Sequence, residues 1–438
     1  MDTTPIRDIE PIHDTGPVHD TEPVLGTERD LDSERMLDGP RVLGGTPSSG
    51  YGTEQILATF LDFYRRLGHE PLPGGSLIPP PGDPVLFTTS GVHPLVRHLE
   101  TGRHPLGGRL VNVQRCLRTT DLDEVGDDRH YTLFEMLGSW SFGDYSHEQS
   151  LRWGYELLTD GFGLRPDRLY VTVFGGSDEL GPDDESERTW TELGVPVELE
   201  PENWWSLGPT GPCGPDSEIH VWTGDGTPTG TPGTDSRWME LWNHVEMRYR
   251  RLPDGSLEPL PRRVVDTGMG LERLVTLLSG VSTGYDTDLF LPWLSTARRL
   301  WGVHGPTERV VSDHLRSVVA LLGDGVRPGP TGRGYVPRRL IRRVLTRLWR
   351  EDETHSLSDL PDEVITETLR HFRQDPRTPV RGVLLDEQRR FGELVRRGRR
   401  VLGRYRGRPL TDDDLHYLHD THGLPPEVVT DLYEGVSA

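Results

Sequence analysis

Lysine is absent from this 438-residue chain, so all 48 basic side chains counted as Lys or Arg are arginines. Without an ε-amine there is no Schiff base and no lysine general base, and every contact of fixed positive charge is a guanidinium one. Cysteine is nearly absent too. The two thiols, Cys116 and Cys213, are too few for a disulfide framework and lack Cys or His companions at metal-ligand spacing, so reduced thiols and no zinc are expected. No stretch approaches the roughly 18 to 20 uninterrupted apolar residues of a membrane helix, and the acidic N-terminus has no basic region followed by an apolar one. These absences predict a cytoplasmic chain without membrane contact.

Acid is abundant: 70 Asp and Glu give a formal charge of -22, which at first sight opposes a nucleic-acid partner. Distribution qualifies the sum. Acids crowd residues 1–40, whereas Arg333, Arg338, Arg339, Arg342, Arg343, Arg347 and Arg350 form one basic run and residues 389–406 carry another. Solvated helix faces and a nucleic-acid surface are both open readings of these runs.

The chain is long enough for two domains or more. Residues 5–26 carry a loose repeat of Pro, acid and short apolar residues without helical period, and the acidic, Pro-rich stretch over 1–48 reads as a disordered tail. From Thr53 to Leu67, Ile56, Phe60, Phe63 and Leu67 fall at helical spacing. Short β-prone runs such as Val85–Thr88 and Tyr170–Phe174 then alternate with turns and helical patterns to about residue 280, predicting an α+β unit with an antiparallel sheet over 49–280. Beyond it, Val310, Leu315, Val318 and Leu322, then Leu340, Ile341, Val344 and Leu348, predict an α-helical unit over 281–438.

Three segments concentrate chemistry. VVDTGMGLERL (264–274) joins an acid, two glycines and an arginine, which suits an anionic nucleotide as well as a plain helix-entry turn. QRCLRTTDLDEVGDDRHYTLFEMLGSWSFGDY (114–145) places arginines on both sides of an acidic loop; these clamp phosphates or are surface charges of a structural hairpin. NWWSLGPTGPCGPDSEI (203–219) sets two tryptophans among turn residues, either as core or as a shaped loop over a site, since a Gly/Pro-rich run is not expected inside an element.

In this order, together with ELWNHVEM at 240, SDHLRSVVALLGDGV at 312 and GRGYVPRRLIRR at 332, these segments resemble the alanyl-tRNA synthetase family over residues 52–428. The resemblance implies the class II synthetase antiparallel sheet flanked by helices, followed by a helical tRNA-recognition domain, with ATP and Mg²⁺ as cofactors and alanine and a tRNA acceptor stem as partners. It implies catalytic roles for Arg118, at the α-phosphate, and Asp266, on the α-ammonium of alanine. ATP contacts would come from Arg118, His130, Phe134, Glu135 and Arg273, with Phe134 and Arg273 sandwiching adenine. The alanine pocket would be Trp205, Asn243, Val245, Asp266 and Gly268. Arg333, Arg338, Arg339, Arg342, Arg343 and Asp420 would contact tRNA. The family's editing domain, with its zinc site, and its C-terminal domain have no counterpart in the matched stretch, which implies an editing-deficient paralogue, with a monomer expected.

Three departures from the family pattern stand out. Asp127 and Asp128 occupy a loop that usually carries a lysine; Pro209 replaces an acid in the loop before Thr210-Gly211-Pro212; and Pro330 stands where the family presents an asparagine to the G·U pair of the acceptor stem. Loss of that amide removes about 1 to 3 kcal/mol of discrimination, which relaxes tRNA identity. Two other readings remain open: an adenylating enzyme that serves a biosynthetic pathway through another acceptor, and a non-catalytic RNA-binding paralogue. Retention of Arg118, Phe134, Asp266 and Arg273 together disfavours the last.

Overall fold

A computed structural model describes residues 52–80, 83, 85–127, 130–405, 408–422, 424 and 429; the acidic tail over 1–48, expected to be disordered, lies outside these described residues. Nine strands make one sheet: β1 Glu70–Pro71, β2 Arg109–Leu117, β3 Leu133–Phe142, β4 Leu169–Phe174, β5 Val197–Glu200, β6 Trp204–Ser206, β7 Gly211–Trp222, β8 Trp238–Arg251 and β9 Leu257–Gly270. Their order is β1-β2-β3-β9-β8-β7-β4-β5, with β6 paired to β7. All neighbours are antiparallel except the edge pairs β1/β2 and β4/β5. The helices of the described residues are α1 Thr53–Arg66, α2 Val96–Leu99, α3 His147–Glu156, α4 Asp184–Glu192, α5 Leu271–Ser279, α6 Leu291–Trp301, α7 Gly305–Gly323, α8 Tyr335–Glu351, α9 Asp362–His371, α10 Val380–Leu402 and α11 Asp412–His422. The fold is α+β, a mainly antiparallel sheet followed by helices.

Helical spacing of Ile56, Phe60 and Phe63 does form α1, whose buried stripe covers one face of the sheet. That face contributes Val111, Val113, Leu137, Ile219, Trp242 and Met269 to a core shared with α3 and α5. The other face carries a smaller apolar cluster of Trp140, Phe142, Val245, Met247 and Val264, under Val92, Leu95 and Trp205. A third core joins α7 through α10 and continues onto the stem of the β2–β3 hairpin through Leu117, Leu122 and Leu133. The helices are thereby seated against the hairpin.

Two sequence expectations need correction. Val85–Thr88, read as β-prone, is not a strand: the carbonyls of Val85 and Leu86 accept from Arg333, and Thr88 bonds Leu77 and Leu117 through single backbone contacts. Having no ladder partner, the run stays irregular whatever its propensity. The Gly/Pro-rich run at 211–215, judged unfit for an element interior, lies inside β7. A register shift between Cys213 and Asp216 puts Pro215, which has no N–H to donate, at a bulge. Gly214 is required beside it, because a Cβ there would collide with the Glu246 carbonyl of β8.

Candidate active site

Strand alternation assembles the site. Trp140 lies opposite Asp266, and Asp266 opposite Val245; Gly138 lies opposite Gly268, and Gly268 opposite Asn243, which in turn faces Glu218. Partners share a face and side chains alternate along each strand, so Phe134, Met136, Trp140, Asp266, Asn243, Val245 and Glu218 all project from one side of the sheet. Trp205 of β6 packs into the cluster of Trp140 and Val245 on that same side. Gly268 keeps the floor open: a Cβ there would sit 2.8 Å from Met136 Sδ. The Trp205 indole, Val245 and the Met136 thioether share this face with the Asp266 carboxylate and make it a candidate pocket, whose chemistry suits a short apolar side chain bearing a cationic amine.

Beside this pocket, charge is arranged around the sheet's C-terminal corner. Arg118 directly follows β2, and its guanidinium carbon lies 5.1 Å from the centroid of the Phe134 ring. Where β9 gives way to α5 at Gly270, the first helical turn delivers Arg273. Arg273 Nη1 donates to both the carbonyl oxygen, at 2.8 Å, and Oε2, at 2.7 Å, of Glu240. Burial alone would raise the Glu240 carboxyl, but the charge and hydrogen bond of Arg273, with His220 and Arg118 nearby, hold it down at about 2. Asn243 Nδ2 donates to Glu218 Oε1 at 3.4 Å, and burial keeps His220 below the usual imidazole range. The result is two guanidiniums, an aromatic face and two carboxylates beside the pocket.

The sequence-derived residues are distributed unevenly over this geometry. Arg118, Phe134 and Arg273 gather at the charged corner, and Trp205, Asn243, Val245, Asp266 and Gly268 at the pocket. His130 sits in the hairpin loop, its Nδ1 2.6 Å from Asp127 Oδ2 and its Nε2 3.2 Å from Glu124 Oε2. Glu135 is not brought to the corner. One residue on from Phe134, it faces the other side of β3, where its buried carboxylate lies 2.9 Å from Arg373 Nη1 and 2.7 Å from His371 Nε2. Burial pushes the Glu135 carboxyl up, yet these two partners hold it at about 2.

In the helical unit, Arg338, Arg342 and Arg397 line a cavity of about 340 Å³ with Pro328, Pro330 and His422. Arg342 offers little free charge there, since it is buried with its Nε donating to Glu387 at 2.7 Å. Arg333 is turned onto the loop carbonyls of Val85 and Leu86. Asp420 is exposed on α11, within hydrogen-bonding distance of His419, two residues from the cavity wall. Arg339 and Arg343 lie on α8 with interactions of their own.

Among the described residues one group of His, Asp and Glu converges at metal-ligand range, the buried His147, Asp183 and Glu246. Guanidiniums already fill that space: Arg248 contacts Glu246 and lies 2.9 Å from Asp183, and Arg263 lies 2.8 Å from Glu246. Sequence reasoning missed Met136, Glu218 and Glu240 as neighbours of the site. Period-two alternation from Phe134 and Asn243 would have found Met136 and, through the strand pairing, Glu218.

The chain matches the family model of tRNA synthetases class II (A) over residues 55–437. It is similar to the alanine–tRNA ligase of Treponema pallidum (strain Nichols), 39% identical over 411 residues that cover 86% of this chain and 68% of that protein. It is also similar to the alanine–tRNA ligases of Rubrobacter xylanophilus, 38% identical over 411 residues, and Halorhodospira halophila, 40% identical over 405 residues. Both alignments cover 86% of this chain, which spans about half the length of these two relatives, 46% of each.

Proposed function

Because the chain belongs to the class II (A) tRNA synthetase family, we propose that it activates alanine with ATP as alanyl adenylate and transfers alanine to tRNA, the activity of an alanine–tRNA ligase. The observation that carries this reading is the single sheet face from which Phe134, Asp266, Asn243 and Val245 project, with Arg118 stacked on Phe134 at its edge. In the first step an alanine carboxylate oxygen bonds to the α-phosphorus of ATP as the bond to pyrophosphate breaks. On this reading Arg118 stabilises the charge that builds on the α-phosphate, and Phe134 and Arg273 hold adenine between them. Asp266 binds the α-ammonium, Trp205 and Val245 limit side-chain length, and Asn243 offers its amide to polar substrate atoms. In the second step a terminal ribose hydroxyl of tRNA attacks the activated carbonyl carbon and AMP leaves. Positioning supplies most of the rate.

Mg²⁺ fits this site on the chemistry of its donors, because Glu218 and Glu240 supply hard carboxylate oxygens beside the arginine pair. When bound, the ion would neutralise phosphate charge. The helical unit over 281–438 is assigned to the acceptor stem, with Arg338, Arg339, Arg343 and Asp420 as its contacts, while Arg342, held by Glu387, and Arg333, held by loop carbonyls, support the shape of that surface; its cavity borders on Pro330, consistent with loosened reading of the G·U pair. The location is cytoplasmic on this reading; no helix of the described residues is long and apolar enough to cross a membrane.

The test is ATP–pyrophosphate exchange over a panel of amino acids, followed by charging of total tRNA and of a transcript with an altered G·U pair. Exchange that is strongest with alanine, followed by a charged product, is expected. No exchange with any amino acid would overturn the enzymatic reading, and exchange without a tRNA product would point to another acceptor.

A further inference from the structure

Helix α9 ends in a six-to-one, five-to-two hydrogen-bond pattern: Gln374 N–H donates to the Leu369 carbonyl at 2.8 Å and Arg373 N–H to the Arg370 carbonyl at 2.9 Å. The residue after the cap in this motif adopts left-handed backbone, a place that glycine ordinarily takes. Here it is Arg373, at φ 57°, the one non-glycine residue with positive φ among those described. A side chain retained in a strained conformation calls for a compensating contact elsewhere. That contact is Glu135.

The surroundings make the pairing directional. Glu135 is fully buried, its backbone N–H donates to Glu272 Oε2 at 2.9 Å, and its carboxylate is near enough for its charge to help push the Glu272 carboxyl up. Arg316 neutralises Glu272 at 2.8 Å, whereas Glu135 depends on His371 and Arg373. The same turn grips the neighbouring strand, because Arg115, the register partner of Glu135, donates from Nη1 to the Phe372 carbonyl at 2.6 Å. Cys116 and Phe134, next along the two strands, face the opposite way, and Arg118 closes on Phe134 there.

We infer that Arg373 is a positioning residue for the nucleotide site: through Glu135 it fixes the end of the hairpin on which Phe134 and Arg118 present their stacked faces. This rests on the proposed function, because it takes the hairpin end to be where adenine and the α-phosphate bind. It also makes the α9–α10 turn, beside the Arg316 contacts of α7, a point at which the helical unit reaches the chemistry.

The informative variant is Arg373→Gly, which removes the guanidinium while relieving the backbone, so that its melting temperature falls less than that of Arg373→Ala, which loses the same contact and keeps the strain. KM for ATP in pyrophosphate exchange is expected to rise about tenfold, with KM for alanine changed less than about twofold. Arg373→Lys, which keeps the charge, recovers part of the loss, and Glu135→Gln raises KM for ATP in the same way. Amide hydrogen exchange at Arg118 and Phe134 should accelerate in Arg373→Gly while that of β7 and β8 stays unchanged. A variant that leaves KM for ATP and the hairpin amides unaltered overturns the inference. Equal loss for ATP and alanine with a lowered melting temperature does so too, by making the role structural. If the parent chain neither exchanges pyrophosphate nor binds ATP by calorimetry, the nucleotide reading fails by itself, and the inference about Arg373 falls with it as a statement about nucleotide; the hairpin amides then report whether the mechanical link exists.

Discussion

Replacing Arg316 by methionine probes how the sheet and the helices are joined. Arg316 is 2% exposed; its Nη2 donates to Glu272 Oε1 at 2.8 Å and its Nη1 to the Leu133 carbonyl at 2.9 Å. Methionine fills much of the volume but restores neither bond, and it strands Glu272 beside Glu135. Breaking a buried pair by removing one partner costs about 3 to 5 kcal/mol, because the surviving charge is left in a medium that cannot solvate it. Burial already pushes the Glu272 carboxyl up, against the pull of Arg316, and loss of the guanidinium pushes it further. The sign follows from linkage. A carboxyl raised in the fold binds its proton more tightly folded than unfolded, so its contribution is complete below its ordinary range, near 4.5, and is lost as pH climbs through the raised value. Arg316→Met should therefore be less costly at pH 5 than at pH 8, and adding Glu272→Gln should return part of the loss at pH 8. Urea unfolding followed by tryptophan fluorescence at the two pH values measures this. A cost under about 1 kcal/mol, or one independent of pH and of Glu272, would refute the reasoning.

Gly268→Ala forces a Cβ to 2.8 Å from Met136 Sδ; the thioether yields into the pocket, and KM for alanine should rise by roughly tenfold while KM for ATP is kept, read by pyrophosphate exchange. Glu240 is held at about 2 against an ordinary 4.5, so its stabilising share is present above that ordinary value and fades as pH falls toward 2; Glu240→Gln should flatten this part of the acid-unfolding curve followed by fluorescence. At the activation step, a pocket bounded by Trp205 and Val245 cannot separate alanine from glycine or serine by much more than about two orders of magnitude in kcat/KM. A ratio near 10⁴ in exchange assays would mean that other side chains line the pocket.

Much of the site was legible because period-two alternation converts a linear motif into a surface. Once Phe134 and Asp266 are known to lie on paired antiparallel strands, their common face follows from parity. What escaped was decided by distant neighbours. Val85–Thr88 has strand propensity but finds a guanidinium where a ladder would be, and Pro215 sits in a long strand only because a bulge receives it. Glu135 reads as part of the nucleotide motif, yet parity places it behind Phe134, and its cationic partners come from residues more than 230 positions later. Arg373 carries no local signal at all. Its backbone angle, which no spacing encodes, is what distinguishes it.

The core that runs from the helices onto Leu117, Leu122 and Leu133 has a consequence for dissection. A chain severed after Gly280 would keep the strands bearing Phe134 and Asp266 but would bare those leucines to water and deprive Arg115, Glu135 and Glu272 of every counter-charge supplied from later in the sequence. Such a fragment should aggregate or melt rather than work at reduced speed, because the side chains that keep its leucines dry and its buried charges paired lie beyond the cut.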